Sequence, residues 1–279
     1  MKHFYFLLLT LISLFTTQSF AQGLFITFDF GYGIGVSEQT QFQNSEITFA
    51  DLWSDSYAYE NTKLKLGSGI KIGASVGYMF NEKIGLQLNF LTFSDNKNTG
   101  LITSEIHIRP AIDPQQDYIN YSHYTLNMSQ VIPSFIFNFG EGKFRPYSNI
   151  GPAIGFAKIT VDRYRKYSPT GNKSRESKQD LSGSPVLGYY LGIGVKATVT
   201  KNINAFGEFN LTNMIFTPKK AVYTNHYDLE SLTTNEKETI FVDSIDTGGV
   251  VNDYEAKEEL AKDYSLSSTG VKIGVMYSF

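Results

Sequence analysis

The chain ends Val271-Lys272-Ile273-Gly274-Val275-Met276-Tyr277-Ser278-Phe279, with Val271, Ile273, Val275 and Tyr277 on alternate positions before the terminal Phe279. A strand turns successive side chains to opposite faces, so this segment has one continuous apolar face and one small or polar face. A soluble sheet uses the same alternation, but a free carboxylate beside a buried aromatic is awkward in a core. In a membrane barrel the last aromatic sits in the interfacial girdle, with the carboxylate in water beyond it. The ending therefore predicts a lipid-facing strand, and such a strand needs a closed sheet around it.

The same period recurs upstream. Leu24 to Val36 sets Leu24, Ile26, Phe28, Phe30, Tyr32 and Ile34 against Phe25, Thr27, Asp29, Gly31, Gly33 and Gly35. The second strand has Ile70, Ile72, Ala74, Val76, Tyr78 and Phe80 outward, and a tight turn at Asn81-Glu82-Lys83 leads into a third with Ile84, Leu86, Leu88 and Phe90 outward. Strand four runs to Phe139 with Val131, Pro133, Phe135 and Phe137 on the same face. Upstream of Ser129 the apolar members are Leu126 and Met128, a change of phase that predicts a bulge near Met128 to Gln130. Gly140 to Lys143 turns into strand five, Phe144 to about Ile159, and Pro133, Pro146 and Pro152 are expected at bulges or strand ends. Strand six carries Leu187, Tyr189, Leu191, Ile193, Val195 and Val199 outward, and Lys201-Asn202 turns into strand seven, Ile203 to Phe216.

Short turns alternate with four long polar segments, Ser37 to about Leu66, Ser94 to about Tyr121, Asp162 to Gly183, and about Pro218 to Asp263. Loops of this length are unusual in a compact soluble domain. The expected fold is all-β, an eight-stranded antiparallel transmembrane barrel of up-and-down order with short periplasmic turns and four long extracellular loops. The other end of the chain agrees. Lys2 and His3 precede an apolar run from Phe4 to Phe15, with small Ser19 and Ala21 after it, which predicts a signal peptide over residues 1–21 and one barrel domain over 22–279. The localisation expected is the bacterial outer membrane. Absence of cysteine excludes disulfides, thiol nucleophiles and thiolate metal sites, and the net charge of -3 argues against nucleic acid as a partner.

An eight-stranded barrel is just wide enough for its own side chains to fill. The inward phase holds Asp29, Lys71, Gln87, Asn89, Arg145, Lys196, Glu208 and Lys272. Buried charges need partners, so Asp29 and Glu208 are expected to be shared among the basic residues. Basic members outnumber acidic ones, and two readings stay open: a structural plug, or a narrow water-filled path that prefers anions.

The segments Gly77-Tyr78-Met79-Phe80-Asn81-Glu82-Lys83-Ile84-Gly85-Leu86, Ile132-Pro133 to Phe139, Lys143-Phe144-Arg145-Pro146-Tyr147 with Gly151 and Gly155, and the Phe279 terminus resemble the outer membrane protein beta-barrel domain family, and more broadly the OmpA/OmpX-type barrels of Gram-negative bacteria. The resemblance spans the mature chain apart from the long loops. It implies the architecture and insertion by the barrel-assembly machinery through the C-terminal strand, marked by Val275, Tyr277 and Phe279. It brings no catalytic residue and no cofactor, because a fold is not a function.

Recognition would then lie in the loops. The first carries Phe42, Phe49, Trp53, Tyr57 and Tyr59, with Trp53, Tyr57 and Tyr59 the contact candidates. The third is basic (Arg163, Arg165, Lys166, Lys173, Arg175, Lys178) and the fourth acidic, from Asp228 to Glu259, so the two are expected to attract each other across the barrel mouth. Asn252 and Glu255 form a capping-box pair that predicts a short helix to about Lys262. Enzymatic signals are poor: Asp246-Thr247-Gly248 has no second copy, and Ser122-His123 with Glu105 is the nearest approach to a catalytic set. No carboxylate spacing matches a defined Ca²⁺ loop. The expectation is a non-enzymatic barrel without cofactor or metal. Its loops contact the surface, the envelope or a larger outer-membrane complex, and its wall meets lipid and lipopolysaccharide. A porin-like small-solute channel is the alternative, and an outer-membrane enzyme is third.

Overall fold

The computed structural model describes residues 23–37, 39–47, 57–95, 98–105, 118–167, 173–226, 237–244 and 257–279. Eight strands form a ring: β1 (Leu24–Gly35), β2 (Gly69–Met79), β3 (Ile84–Asp95), β4 (Tyr118–Asn138), β5 (Phe144–Tyr167), β6 (Val186–Thr198), β7 (Ile203–Phe216) and β8 (Ser268–Ser278). Each pairs antiparallel with its chain neighbours, and β8 returns to β1. From Leu24 the register passes to Tyr78, Leu86, Phe135, Ile150, Leu191, Leu211 and Thr269, and reaches β1 again at Ile34. The return lies ten residues beyond the start (34 minus 24), so the strands tilt around the barrel axis.

The period-two pattern sets the two faces. Phe28, Phe30, Ile72, Phe90, Phe135, Ile193, Phe209 and Ile273 are exposed on the outside, where a barrel in a bilayer meets lipid. Phe80, Phe139, Phe144, Tyr277 and Phe279 gather at the short-turn end, with Tyr277 and Phe279 edge to face at 5.0 Å. The turns are locally specified. The Asn81 side chain accepts hydrogen bonds from the backbone N–H groups of Lys83 and Ile84, both 2.9 Å, and Gly140 and Gly142 take positive φ values of 78° and 105°.

Inside, large side chains lie across glycines of adjoining strands. The Phe25 ring covers Gly77, the Phe206 ring covers Gly274, and the Asp29 carboxylate rests on Gly73, where an added Cβ would stand 2.5 Å from Oδ1. This is how a narrow barrel admits aromatic and charged groups: the facing position gives up its side chain.

Above the membrane the ring is lopsided. β4 (21 residues) and β5 (24 residues) far outrun their partners. Their upper halves stand in a seven-stranded wall ordered Asn98–Glu105, β4, β5, Lys173–Gly183, Pro218–His226, Glu238–Val242 and Lys257–Leu260. Lys173–Gly183 leads through Ser184-Pro185 into β6, and β7 leads through Thr217 into Pro218–His226, so the wall continues the β4 to β7 side of the barrel. A separate hairpin, Gln39–Ile47 with Tyr57–Leu64, belongs to the first long connection.

Four expectations change. The described parts of the four long segments are largely strand rather than irregular loop. No bulge interrupts β4 at Met128 to Gln130, because its pairing with β3 and β5 keeps one register there. The phase changes because Leu126 and Met128 point into an apolar upper core while Asn127 and Ser129 face out, the inverse of the lipid-facing pattern below. Pro133 and Pro152 are not at bulges or strand ends. The flanking pairs Val131↔Ile154 and Phe135↔Ile150 share a register that sets the two prolines opposite each other, so both missing donors fall on one rung and the break is confined to Ile132–Ser134. Finally, Lys257–Leu260 is a strand parallel to Glu238–Val242 rather than the end of a helix, and Asn252 and Glu255 lie outside the described residues.

Filling a glycine under a ring tests this packing. Gly77→Val should destabilise the barrel by about 1–3 kcal/mol through overpacking against Phe25, read as a lower unfolding midpoint in denaturant and loss of the compact band on unheated gels.

Candidate functional site

The lumen is filled in three zones. Nearest the short turns, Phe25, Ile136, Tyr147, Phe206 and Met276 pack with Met79 into an apolar floor, the Tyr147 and Phe206 rings edge to face at 6.3 Å. At the other end an apolar cap of Leu91, Phe93, Leu126, Met128, Ile159 and Phe216 is completed by Leu66, Tyr264 and Leu266 from the ends of the first and fourth long connections. Between them lies a polar layer. Barrel closure brings its members together from all eight strands, since the inward phase of each strand must land in the same narrow space.

Lys272 on β8 is the centre of that layer. Its Nζ lies 3.3 Å from Glu208 Oε1 on β7 and 3.9 Å from Asp29 Oδ2 on β1, so it spans both strands that β8 pairs with. Glu208 is further held by hydroxyl donors, Tyr147 to Oε2 at 2.9 Å and Tyr190 to Oε1, and its carboxylate lies on Gly192. Among the described residues Asp29 has only the long contact to Lys272, and its Oδ1 is buried without a hydrogen bond. The two carboxylates are not shared among all the basic residues. Lys71 Nζ donates to Asn210 Oδ1 and Ser268 Oγ, both 3.0 Å. Lys196 and Arg145 lie outside this layer, at the short-turn end beside the floor: Lys196 Nζ donates to Asn138 Oδ1 at 2.9 Å, and Arg145 Nη2 donates to Thr198 Oγ1 at 3.2 Å and Asn204 Oδ1 at 3.3 Å. Gln87, Ser75, Thr27, Asn89 and Ser134 complete the layer through mutual hydrogen bonds. The recess among Thr27, Gln87, Tyr147, Lys196, Glu208 and Lys272 has a volume of about 10 Å³, at the threshold for a single water.

Sequence reading missed Tyr147 and Tyr190 as partners of Glu208, although Tyr190 sits at inward phase between the outward Tyr189 and Leu191. Val275, Tyr277 and Phe279 all face outward. Tyr57 and Tyr59 fall on the strand Tyr57–Leu64, while Trp53 lies outside the described residues, as does Asp246-Thr247-Gly248. The nearest catalytic set is not assembled. Ser122 pairs with Leu101, four residues from Glu105 and so roughly 13 Å along the strand, and His123 is the next residue on β4, turned to the opposite face. Among the described residues no group of three His, Asp or Glu could hold a metal.

Strand Lys173–Gly183 of the third long segment pairs through its backbone with Pro218–His226 of the fourth, and among the described residues Lys158 pairs with Asp180 and Lys220 with Glu238, each at 2.7 Å. Burial alone would raise the Asp180 carboxyl, but the hydrogen bonds from Lys158 and Thr160 outweigh it and hold it below its ordinary value.

Two outcomes are expected. Lys272→Met should cost about 3–5 kcal/mol, because two buried carboxylates lose their cation, and adding Asp29→Asn and Glu208→Gln should restore much of that loss in denaturant unfolding. The Asp180 contribution to the wall is complete above its unfolded value of about 3.9 and is lost as pH falls through the lower folded value. Hydrogen exchange at the Thr160↔Asp180 rung should therefore speed up in that acid window, and Asp180→Asn should flatten the pH dependence.

No protein of curated function matches the chain. Among solved structures it is similar to Neisserial surface protein A, at 13% identity and a TM-score of 0.38 over 92% of this chain and 97% of that one. It is also similar to Ail, the attachment invasion locus protein of Yersinia pestis, at 10% identity and 92% and 99% coverage, with TM-scores of 0.36 for the complex with the heparin analogue sucrose octasulfate and 0.34 for the protein alone. The family model of the outer membrane protein beta-barrel domain matches residues 7–236. With a closed eight-stranded barrel and that match over most of its length, the chain belongs to the outer membrane protein beta-barrel domain family.

Proposed function

We propose that this outer-membrane barrel is a non-enzymatic, non-conducting pedestal, and that its one-sided wall contacts a partner at the cell surface or within a larger envelope complex. The observation that carries the reading is the sealed lumen. An apolar floor, a hydrogen-bonded polar layer and an apolar cap fill it in series, with a recess of about 10 Å³ among them. Hydrated ions need a continuous wet path, and each of the two apolar zones would have to open to provide one. Among the described residues the extended β4 and β5 and the strands that join them form the largest sheet beyond the barrel, and exposed loops and strands on a rigid scaffold are where recognition concentrates. The same reading assigns the outward Val275, Tyr277 and Phe279 to recognition by the barrel-assembly machinery during insertion, and the outer wall to contact with outer-membrane lipid.

Planar-bilayer recording tests the reading. The wild type should give no discrete conductance steps, and Glu208→Ala should introduce leak by removing the acceptor that holds Tyr147, Tyr190 and Lys272 together. Stable unitary openings in the wild type would overturn the pedestal reading in favour of a small-solute channel.

A further inference from the structure

We propose that the short-turn mouth of the barrel, which faces the periplasm in this architecture, is a binding site for a small oxyanion, a phosphate or a carboxylate, with Lys196 and Arg145 as its charged ligands. The two residues are direct register partners on β6 and β5, and both project inward near the strand ends. Like charges directly opposite in a sheet repel each other unless a third charge lies between them. Among the described residues no carboxylate stands within ion-pair distance of either one.

Their own partners are neutral. Lys196 Nζ donates to Asn138 Oδ1 and lies 4.7 Å from the centre of the Tyr147 ring. Arg145 Nη2 donates to Thr198 Oγ1 and Asn204 Oδ1, while its Nε is buried without a hydrogen bond. Lys196 is only 5% exposed, so its charge is largely withdrawn from water. Two cations in that setting are costly to bury, and charge-assisted hydrogen bonds from an ammonium and a planar guanidinium to one oxyanion offset that cost. Asn138 ends β4, Thr198 ends β6 and Asn204 is the second residue of β7, so the groups surrounding the pair also sit at the rim.

The site is a dead end. Beyond the pair the lumen holds the floor of Phe25, Ile136, Tyr147, Phe206 and Met276 and a recess of about 10 Å³ that Lys196 itself lines, too small to pass an anion, so one entering from the periplasm reaches the pair and goes no further. This separates the inference from an anion-conducting path and places it at the opposite end of the molecule from the wall.

The test uses the folded full-length mature protein in uncharged detergent micelles, titrated with sodium phosphate against sodium chloride at matched ionic strength while the thermal transition is followed. A saturable rise in Tm specific to phosphate is expected. Its apparent affinity should fall about tenfold in Arg145→Gln and in Lys196→Met and stay unchanged in Lys143→Gln, an exposed turn cation. Arg145 is partly exposed, so Arg145→Gln keeps the test decisive even if Lys196→Met does not fold. Acetate in place of phosphate, and phosphatidylglycerol against phosphatidylcholine vesicles, identify the source. A response to acetate points to a carboxylate-bearing partner, and a response to phosphatidylglycerol lost in Arg145→Gln points to a lipid headgroup. The proposal is overturned if phosphate, acetate and phosphatidylglycerol all act no differently from their controls, or if their effects survive both substitutions undiminished.

Discussion

Backbone N–H and C=O groups in the hydrocarbon of a bilayer have no water to bond, so a strand there must be paired on both sides. Everything else in this protein follows from the meeting of β1 with β8. It joins Phe25 to Ser278 at one end and Gly35 to Ser268 at the other, and it turns a meander with two edges into a ring with none. Closure fixes the diameter, the diameter fixes the interior volume, and the interior volume decides which side chains fit. The glycines beneath Phe25, Phe206, Asp29 and Glu208 answer that last constraint.

Lys272 makes closure specific as well as complete. Its ammonium reaches Glu208 on one neighbouring strand and Asp29 on the other, so its pairing is satisfied only when β8 sits between β7 and β1 in the observed register. A slip of one residue would turn Lys272 to lipid and leave the two buried carboxylates without their cation. The ion triad thus contributes less through its Coulomb energy, which desolvation largely cancels, than through the penalty it sets on misalignment.

The wall shows the same chain solving a different problem once it leaves the membrane. Below, apolar side chains face out and polar ones in; above, along the same uninterrupted β4, Leu126 and Met128 face in and Asn127 and Ser129 face out. The backbone does not change, only its solvent. Because β1, β2, β3 and β8 stop near the rim while β4 and β5 continue, the seven-stranded wall rises from the β4 to β7 side of the mouth.

The sequence by itself determined the ring. Alternation in Leu24–Gly35, Gly69–Met79, Ile203–Phe216 and Ser268–Ser278 is a local property of each strand, and short turns such as Asn81-Glu82-Lys83 fix which strands are neighbours. It also gave the inward phase of Asp29, Lys71, Arg145, Lys196, Glu208 and Lys272, because the pleat alone sets it. Only the tertiary structure decided which of those groups meet. Lys272 takes both carboxylates while Lys71, Lys196 and Arg145 are left with amides and hydroxyls, an outcome that depends on a ten-residue stagger around the ring rather than on any one strand. The wall was hidden for a related reason. Outside the bilayer a polar strand and a polar loop have similar compositions, and what separates them is whether a partner strand lies alongside, which no local pattern records.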